Sequence, residues 1–294
     1  MIMVIRSLLV TFTIGLVCAF RKDYSKSKKN HTLGNESILK SSIIGLVTDF
    51  LDTLGIGSFA ITIVLMKVFK LNVPSKLIPG TLNVGHAIPI ITEALIFTTV
   101  ISVDSLTLAS LVIASVLGSC IGVKCIVKLD ENKIKLVMGI ALLITAVLMF
   151  LGQPGVDLIP IGGEATGLTG VKLVIGIVGN FILGVLMTAG IGLYAPCMAM
   201  VYLLGMSAKV AFPIMMASCA MLMPIASVKF IQEQAYSKRV SLGIMIAGVF
   251  GVLIAAFIVK SLEMTLLRWL VIIVIIYTAI TMLIPVIKNI KQNK

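Results

Sequence analysis

Apolar runs of about 20 residues, the length a helix needs to cross a bilayer, follow one another almost from end to end of this chain. Short charged or glycine-rich connections part them. Lipid offers no partner to a backbone N–H or C=O, so a chain of this kind spans as closed barrels or as helices, and runs this long select helices. The expectation is an all-α polytopic membrane protein with no stretch left over for a separate soluble domain. Only 12% of the 294 residues are charged, against about 25% in a soluble domain. The net charge of +12 does not point to nucleic acid. The lysines and arginines sit in short loops between apolar runs, as cytoplasmic loops of membrane proteins do.

Two of the runs are interrupted. Thr53-Leu54-Gly55-Ile56-Gly57-Ser58 breaks the first, and Thr188-Ala189-Gly190-Ile191-Gly192-Leu193 breaks the second. Glycine weakens a helix interior by about 1 kcal/mol relative to alanine, so two so close together invite the helix to stop and restart. Backbone freed in this way survives inside a membrane only when buried in protein or lining a wet cavity.

The breaks divide the chain into matching halves. The organisation expected is an N-terminal anchor helix at 1–20, a cytoplasmic linker at 21–40, a first repeat at 41–152, an external connection at 153–170, a second repeat at 171–287 and a cytoplasmic tail at 288–294. Ile44-Gly45-Leu46-Val47 aligns with Ile175-Gly176-Ile177-Val178, Asp49-Phe50 with Asn180-Phe181, and Gly55-Ile56-Gly57 with Gly190-Ile191-Gly192. The same step leads from Gly57 to Pro89 and from Gly192 to Pro224, and a shorter one to Asn83 and Ser218.

Charge then sets topology. If each broken run enters the membrane and returns to the same side, all but Arg6, Lys172, Lys209, Lys260 and Arg268 of the 24 basic residues fall on the cytoplasmic side. If each run crosses once, they divide evenly between the two sides. The positive-inside rule favours the first arrangement. Length agrees, because half of the first run reaches about 20 Å at about 1.5 Å per residue, short of a core about 30 Å thick. Each run is therefore expected as a re-entrant hairpin followed by three transmembrane helices, with the two repeats inverted, the N-terminus outside and the C-terminus cytoplasmic. Inverted repeats with broken helices recur in secondary transporters.

The half-helix that restarts after each Gly-x-Gly offers free N–H groups and a positive dipole end, a ready anion site. Thr53, Gly55, Gly57 and Ser58 at the first break, and Thr188, Gly190, Gly192 and Tyr194 at the second, are the candidate substrate contacts. Asn83, His86 and Ser218 on the following helices complete the set. Two such ends meeting near the midplane would cradle a small oxyanion; alternatively the glycines only let helices pack closely. Intramembrane ionisable groups are functional candidates by default, so Asp49, Asp52 and Glu93 are the candidates for a coupling proton. The plainer alternatives are a His86 held by a backbone carbonyl and aspartates paired with a loop lysine. Five cysteines lie in apolar runs without a CxxC, and no metal site, disulfide framework, cofactor or catalytic motif is expected. The expected partners are a small anion and the bilayer, not nucleic acid, and self-association into a homo-oligomer stays open.

Gly45-Leu46-Val47 with Leu54-Gly55-Ile56-Gly57, and its partner Gly190-Ile191-Gly192, resemble the glycine signature of the TauE/SafE sulfite exporter family of membrane permeases. The resemblance runs over about residues 40–288. It implies paired halves and transport of sulfite, sulfoacetate or another small organosulfur or carboxylate anion. The expectation is a plasma-membrane permease for such an anion, not an enzyme, driven by an ion gradient, most simply of protons. A channel on the same scaffold and a non-transporting membrane scaffold protein are the alternatives.

Overall fold

The computed structural model describes residues 2–74, 77–125, 131–151, 153, 163–188, 193–261 and 263–292. Among them there is no named strand and there are eleven helices. They are α1 (Ile2–Lys29), α2 (Ile38–Thr53), α3 (Phe59–Val68), α4 (Ile78–Val100), α5 (Ser105–Cys125), α6 (Glu131–Leu151), α7 (Gly170–Thr188), α8 (Tyr194–Leu203), α9 (Ala208–Gln232), α10 (Lys238–Ser261) and α11 (Met264–Gln292). Six are long and apolar enough to cross a membrane: α1, α4, α7, α9, α10 and α11.

Both broken runs stop and restart where the glycines stand. α2 ends at Thr53 and α3 begins at Phe59; α7 ends at Thr188 and α8 begins at Tyr194. Ala189–Gly192 lie outside the described residues, so the second break is known only by the helices on either side of it. Each run also folds back on itself. At the first, Lys40 Nζ near the start of α2 donates to Phe69 O just past the end of α3 at 3.0 Å. Ile44 packs in one cluster with Met66 and Leu71. At the second, Gly179 faces Met200 and Gly176 faces Leu204, which sets α7 and α8 antiparallel.

The helices form two compact units. The first comprises residues 1–99 and 219–260, the second 100–218 and 261–294. In the first unit, α10 lies close against α2. A side chain at Gly251 would run into the Leu46 carbonyl and the Phe50 N–H, and one at Gly45 would run into the Ile244 backbone. The segment 21–40, expected as a linker, is helical to Lys29, and α1 is tied in there. Asp23 Oδ2 accepts from the Tyr236 hydroxyl at 2.7 Å, and Asp23 Oδ1 from the Gln234 amide. Lys238 stands 3.8 Å from the same carboxylate. Burial, and then the Asp23 carboxylate, hold the Tyr236 phenol well above its ordinary pKa, so it remains a donor. The α9–α10 turn also meets the start of α4, where Ser237 N–H donates to Thr81 Oγ1 at 2.9 Å, and Arg239 bonds Glu36 O at 2.7 Å. The basic last turns of α1 and the basic first turn of α10 therefore gather at one end of this unit. Arg6, at the other end of α1, donates to Thr98 O.

In the second unit α5 lies against α7 just as closely. A side chain at Gly118 would meet the Phe181 carbonyl, and one at Gly184 the Ser115 carbonyl. One end of this unit gathers the described part of the middle connection. Asp104 N–H donates to Thr166 O and Ser207 N–H to Ala165 O, and Arg268 pairs with Glu164 at 2.8 Å.

Candidate functional site

The first break is built asymmetrically. Gly55 stands at φ +93° and Gly57 at φ +89°, the left-handed region that glycine enters without steric cost. Ile56 N–H reaches back to Leu51 O at 3.1 Å and Gly55 N–H to Asp52 O at 2.7 Å. This is the Schellman closure of a helix C-terminus, and it satisfies the last carbonyls of α2. The start of α3 is not closed in the same way. Ser58, in the N-cap position, makes no side-chain capping bond, and nothing stands within 4 Å of where a Gly57 side chain would be.

Around this break lie the ionisable groups. Asp49, Asp52 and Thr53 are three and four residues apart on α2 and so share a face; His86 and Glu93, two turns apart, share one on α4. All five are buried. Asp49 Oδ1 pairs with His86 Nδ1 at 2.7 Å, and His86 Nε2 meets Thr62 Oγ1 at 3.0 Å. The imidazole packs on Phe59, ring centroids 5.8 Å apart. His86 thus joins α4 to both arms of the folded run. Its partners are a carboxylate and a hydroxyl, not the backbone carbonyl that sequence alone left open, and the partner of Asp49 is an imidazole, not a loop lysine.

Thr53 makes the second tie. Its hydroxyl lies 2.7 Å from Asp49 O and 2.9 Å from Glu93 Oε1. The one hydroxyl proton is given to either acceptor or shared between them. Asp52 lies in the last turn of α2, beside the break. Asp49 Oδ2 and Asp52 Oδ2 are buried and have no hydrogen-bond partner among the described residues. Asp49 Oδ2 sits in a space left by Gly248 on α10, where a side chain would collide with it and with the Pro89 ring. With two aspartates to one imidazole, the charges of Asp49, Asp52 and His86 cancel only if protons are held there. Unpaired charge inside a low-dielectric interior is too costly to persist. Among the described residues no three His, Cys, Asp or Glu are arranged to hold a metal ion.

Of the remaining candidates, one belongs to the first unit, two belong to the second, and the others lie beyond description. Asn83, although three residues from His86, turns its amide to Pro79 O on its own helix at 2.9 Å. Its backbone carbonyl accepts from the Ser227 hydroxyl at 2.9 Å. Gly190 and Gly192 lie outside the described residues, as does the side chain of Thr188. In the second unit Tyr194 is buried at the start of α8. Ser218 accepts from Asn180 Nδ2 at 3.0 Å, and the same amide reaches Leu111 O at 2.7 Å. Asn180 therefore meets α9 as Asp49 meets α4, with an uncharged pair in place of an ionisable one. Two contributors were missed in the sequence. Thr62 and Gly248 carry no signal there, because an apolar helix shows neither which threonine faces a histidine nor which glycine faces an aspartate.

A family model described as sulfite exporter TauE/SafE matches residues 2–149. No curated protein and no solved structure matches the chain. The match takes in α1 and stops before the second broken run. It covers half of the chain and holds the whole of the Asp49–His86–Glu93 cluster with the Gly55–Gly57 break. The chain belongs to the sulfite exporter TauE/SafE family, a family of membrane permeases.

Proposed function

We propose that the protein is a secondary transporter that moves a small anion, such as sulfite or an organosulfonate, across the plasma membrane together with protons. The observation that carries this reading is the first break: a helix N-terminus without a side-chain cap, beside open space and within a buried cluster of Asp49, Asp52, His86 and Glu93. The amides and dipole of α3 suit an anion. The carboxyls beside them would repel that anion unless protonated, which ties its binding to a proton.

The proposal extends to architecture. Each unit combines a folded-back run from one half of the chain with a glycine-packed helix from the other. Gly251 against Leu46 and Phe50 in the first parallels Gly118 against Phe181 in the second. That parallel supports two inverted repeats, with α2–α3 dipping from the cytoplasm and α7–α8 from outside. The basic end of the first unit would face the cytoplasm, with the C-terminus inside and the N-terminus outside.

The test is flux in proteoliposomes loaded with sulfite, sulfoacetate or thiosulfate, with and without an imposed pH gradient. Saturable counterflow stimulated by the gradient is expected. Non-saturating flux would indicate a channel. Flux of a neutral solute with none of these anions would remove the reading.

A further inference from the structure

α1 changes character on both of its faces at one level. Its buried stripe runs through Leu9, Leu16, Phe20, Asp23 and Ser27 at helical spacing, apolar as far as Phe20 and polar beyond it. Its exposed face is apolar at Val10, Ile14 and Val17. Beyond that level the exposed side chains are cationic: Arg21, Lys22, Lys26, Lys28 and Lys29. Asp23, the one acid between Phe20 and Asn35, belongs to the buried stripe. Among the described residues none of the five cations pairs with an acid.

This end is a built surface and not a frayed tail. The helix is closed: His31 N–H returns to Lys28 O at 3.3 Å and Thr32 N–H to Ser27 O at 2.9 Å. His31 stands at φ +55°, which completes a Schellman ending. The back of the helix is held as well. Asp23 accepts from Tyr236 and Gln234, and Phe20 packs on Tyr236 with ring centroids 6.1 Å apart. The helix dipole accounts for cations in the last turn, but not for Arg21 and Lys22 two turns earlier. Length gives a second reason for them. The 28 residues of α1 reach about 42 Å at about 1.5 Å per residue, about 12 Å more than a hydrocarbon core of about 30 Å. The excess falls where the exposed face turns cationic, so these turns cross the headgroup layer.

We propose that this face of α1 is a docking surface for anionic phospholipid headgroups. Arg21, Lys22, Lys26, Lys28 and Lys29 take the phosphates of lipids whose chains lie along Val10, Ile14 and Val17. Basic clusters directly beside a span attract anionic lipid in this way, and arginine adds a fork that fits phosphate. The occupant is a lipid and not a soluble polyanion because the cationic face continues the apolar one without a gap. A lipid satisfies both at once. The inference depends on α1 spanning a bilayer and is independent of the cargo.

The experiment reads lipid at the site itself, in the full chain reconstituted in phosphatidylcholine bilayers. Trp269→Phe removes the one native tryptophan, and Val17→Trp sets a reporter on the exposed face one turn before Arg21. Dibrominated phosphatidylglycerol or dibrominated phosphatidylcholine replaces part of the lipid, and quenching of the reporter gives their relative affinity. Phosphatidylglycerol should be preferred by about fivefold or more, the effect of about one cation at a headgroup. The preference should shrink in about 1 M salt, where the screening length is about 3 Å. Arg21→Gln, Lys22→Gln, Lys26→Gln, Lys28→Gln and Lys29→Gln together should abolish it. Lys172→Gln with Lys209→Gln, which removes charge from the second unit, should leave it in place. Should the five substitutions prevent folding, Lys26→Gln with Lys28→Gln should still lower the preference. Equal quenching by the two lipids before any charge is removed, or a preference that survives loss of these charges, would overturn the inference. So would capture of an anionic oligonucleotide or of polyglutamate by the detergent-solubilised chain in place of any lipid preference, which would give the surface to a soluble polyanion.

Discussion

His86 is the residue on which the cluster turns, since one imidazole holds Asp49 on α2 and Thr62 on α3 at once. Removing one partner of a buried pair strands the other, at a cost of about 3–5 kcal/mol. His86→Ala should therefore lower the thermal unfolding midpoint in detergent markedly and abolish anion flux. His86→Gln, which can still donate to Asp49, should recover much of the midpoint without recovering flux. A purely structural histidine would recover both. Asp104, exposed ahead of α5, offers a contrasting case. Its carboxylate caps α5, accepting from the Thr107 N–H and hydroxyl, each at 2.8 Å. Those two bonds, the N–H first, hold its carboxyl below the ordinary carboxylate value. The sign follows: a lowered folded pKa contributes stability that is fully present above the unfolded value and is lost as pH falls through the folded one. Asp104→Ala should cost about 0.5–2 kcal/mol at neutral pH. The gap between it and wild type should close in strongly acidic solution, as followed by helix circular dichroism.

The helices are placed by what they lack. α10 approaches α2 closely because Gly45, Gly248 and Gly251 leave the contact bare. Filling a packed contact costs about 1–3 kcal/mol. Gly248→Ala should cost that much and also reduce flux, because its methyl would displace Asp49 Oδ2 and the Pro89 ring. Gly15 on α1 faces open space, with nothing within 4 Å of an added side-chain carbon. Gly15→Ala should leave flux unchanged and raise helix stability by up to about 1 kcal/mol. Gly57 differs from both. Space is available there, but its φ of +89° is not accessible to a branched side chain without strain. Gly57→Leu should distort the turn between α2 and α3 and remove transport; a non-transporting scaffold protein would tolerate it.

For the molecule as a whole, the proposed topology is open to a direct check. Glu233→Cys lies in the turn after α9 and Glu164→Cys in the middle connection, both exposed. In cells, an impermeant thiol reagent should reach position 164 from outside and position 233 only after the membrane is opened. The reverse pattern would invert the proposed orientation, and labelling of both from one side would break the inverted-repeat proposal. Much of this was legible in the order of residues. Apolar runs made the chain helical and membranous because lipid leaves the backbone no other partner, and paired glycines marked where two helices stop because their cost is local. The candidate acids were legible too, since any ionisable group in such a run stands out. The tertiary structure alone decided which of them meet. His86 and Asn83 share a face by spacing, yet one closes on Asp49 and the other on its own helix. These outcomes depend on contacts between segments far apart in the chain, and periodicity within a helix carries no information about which neighbour its face will find.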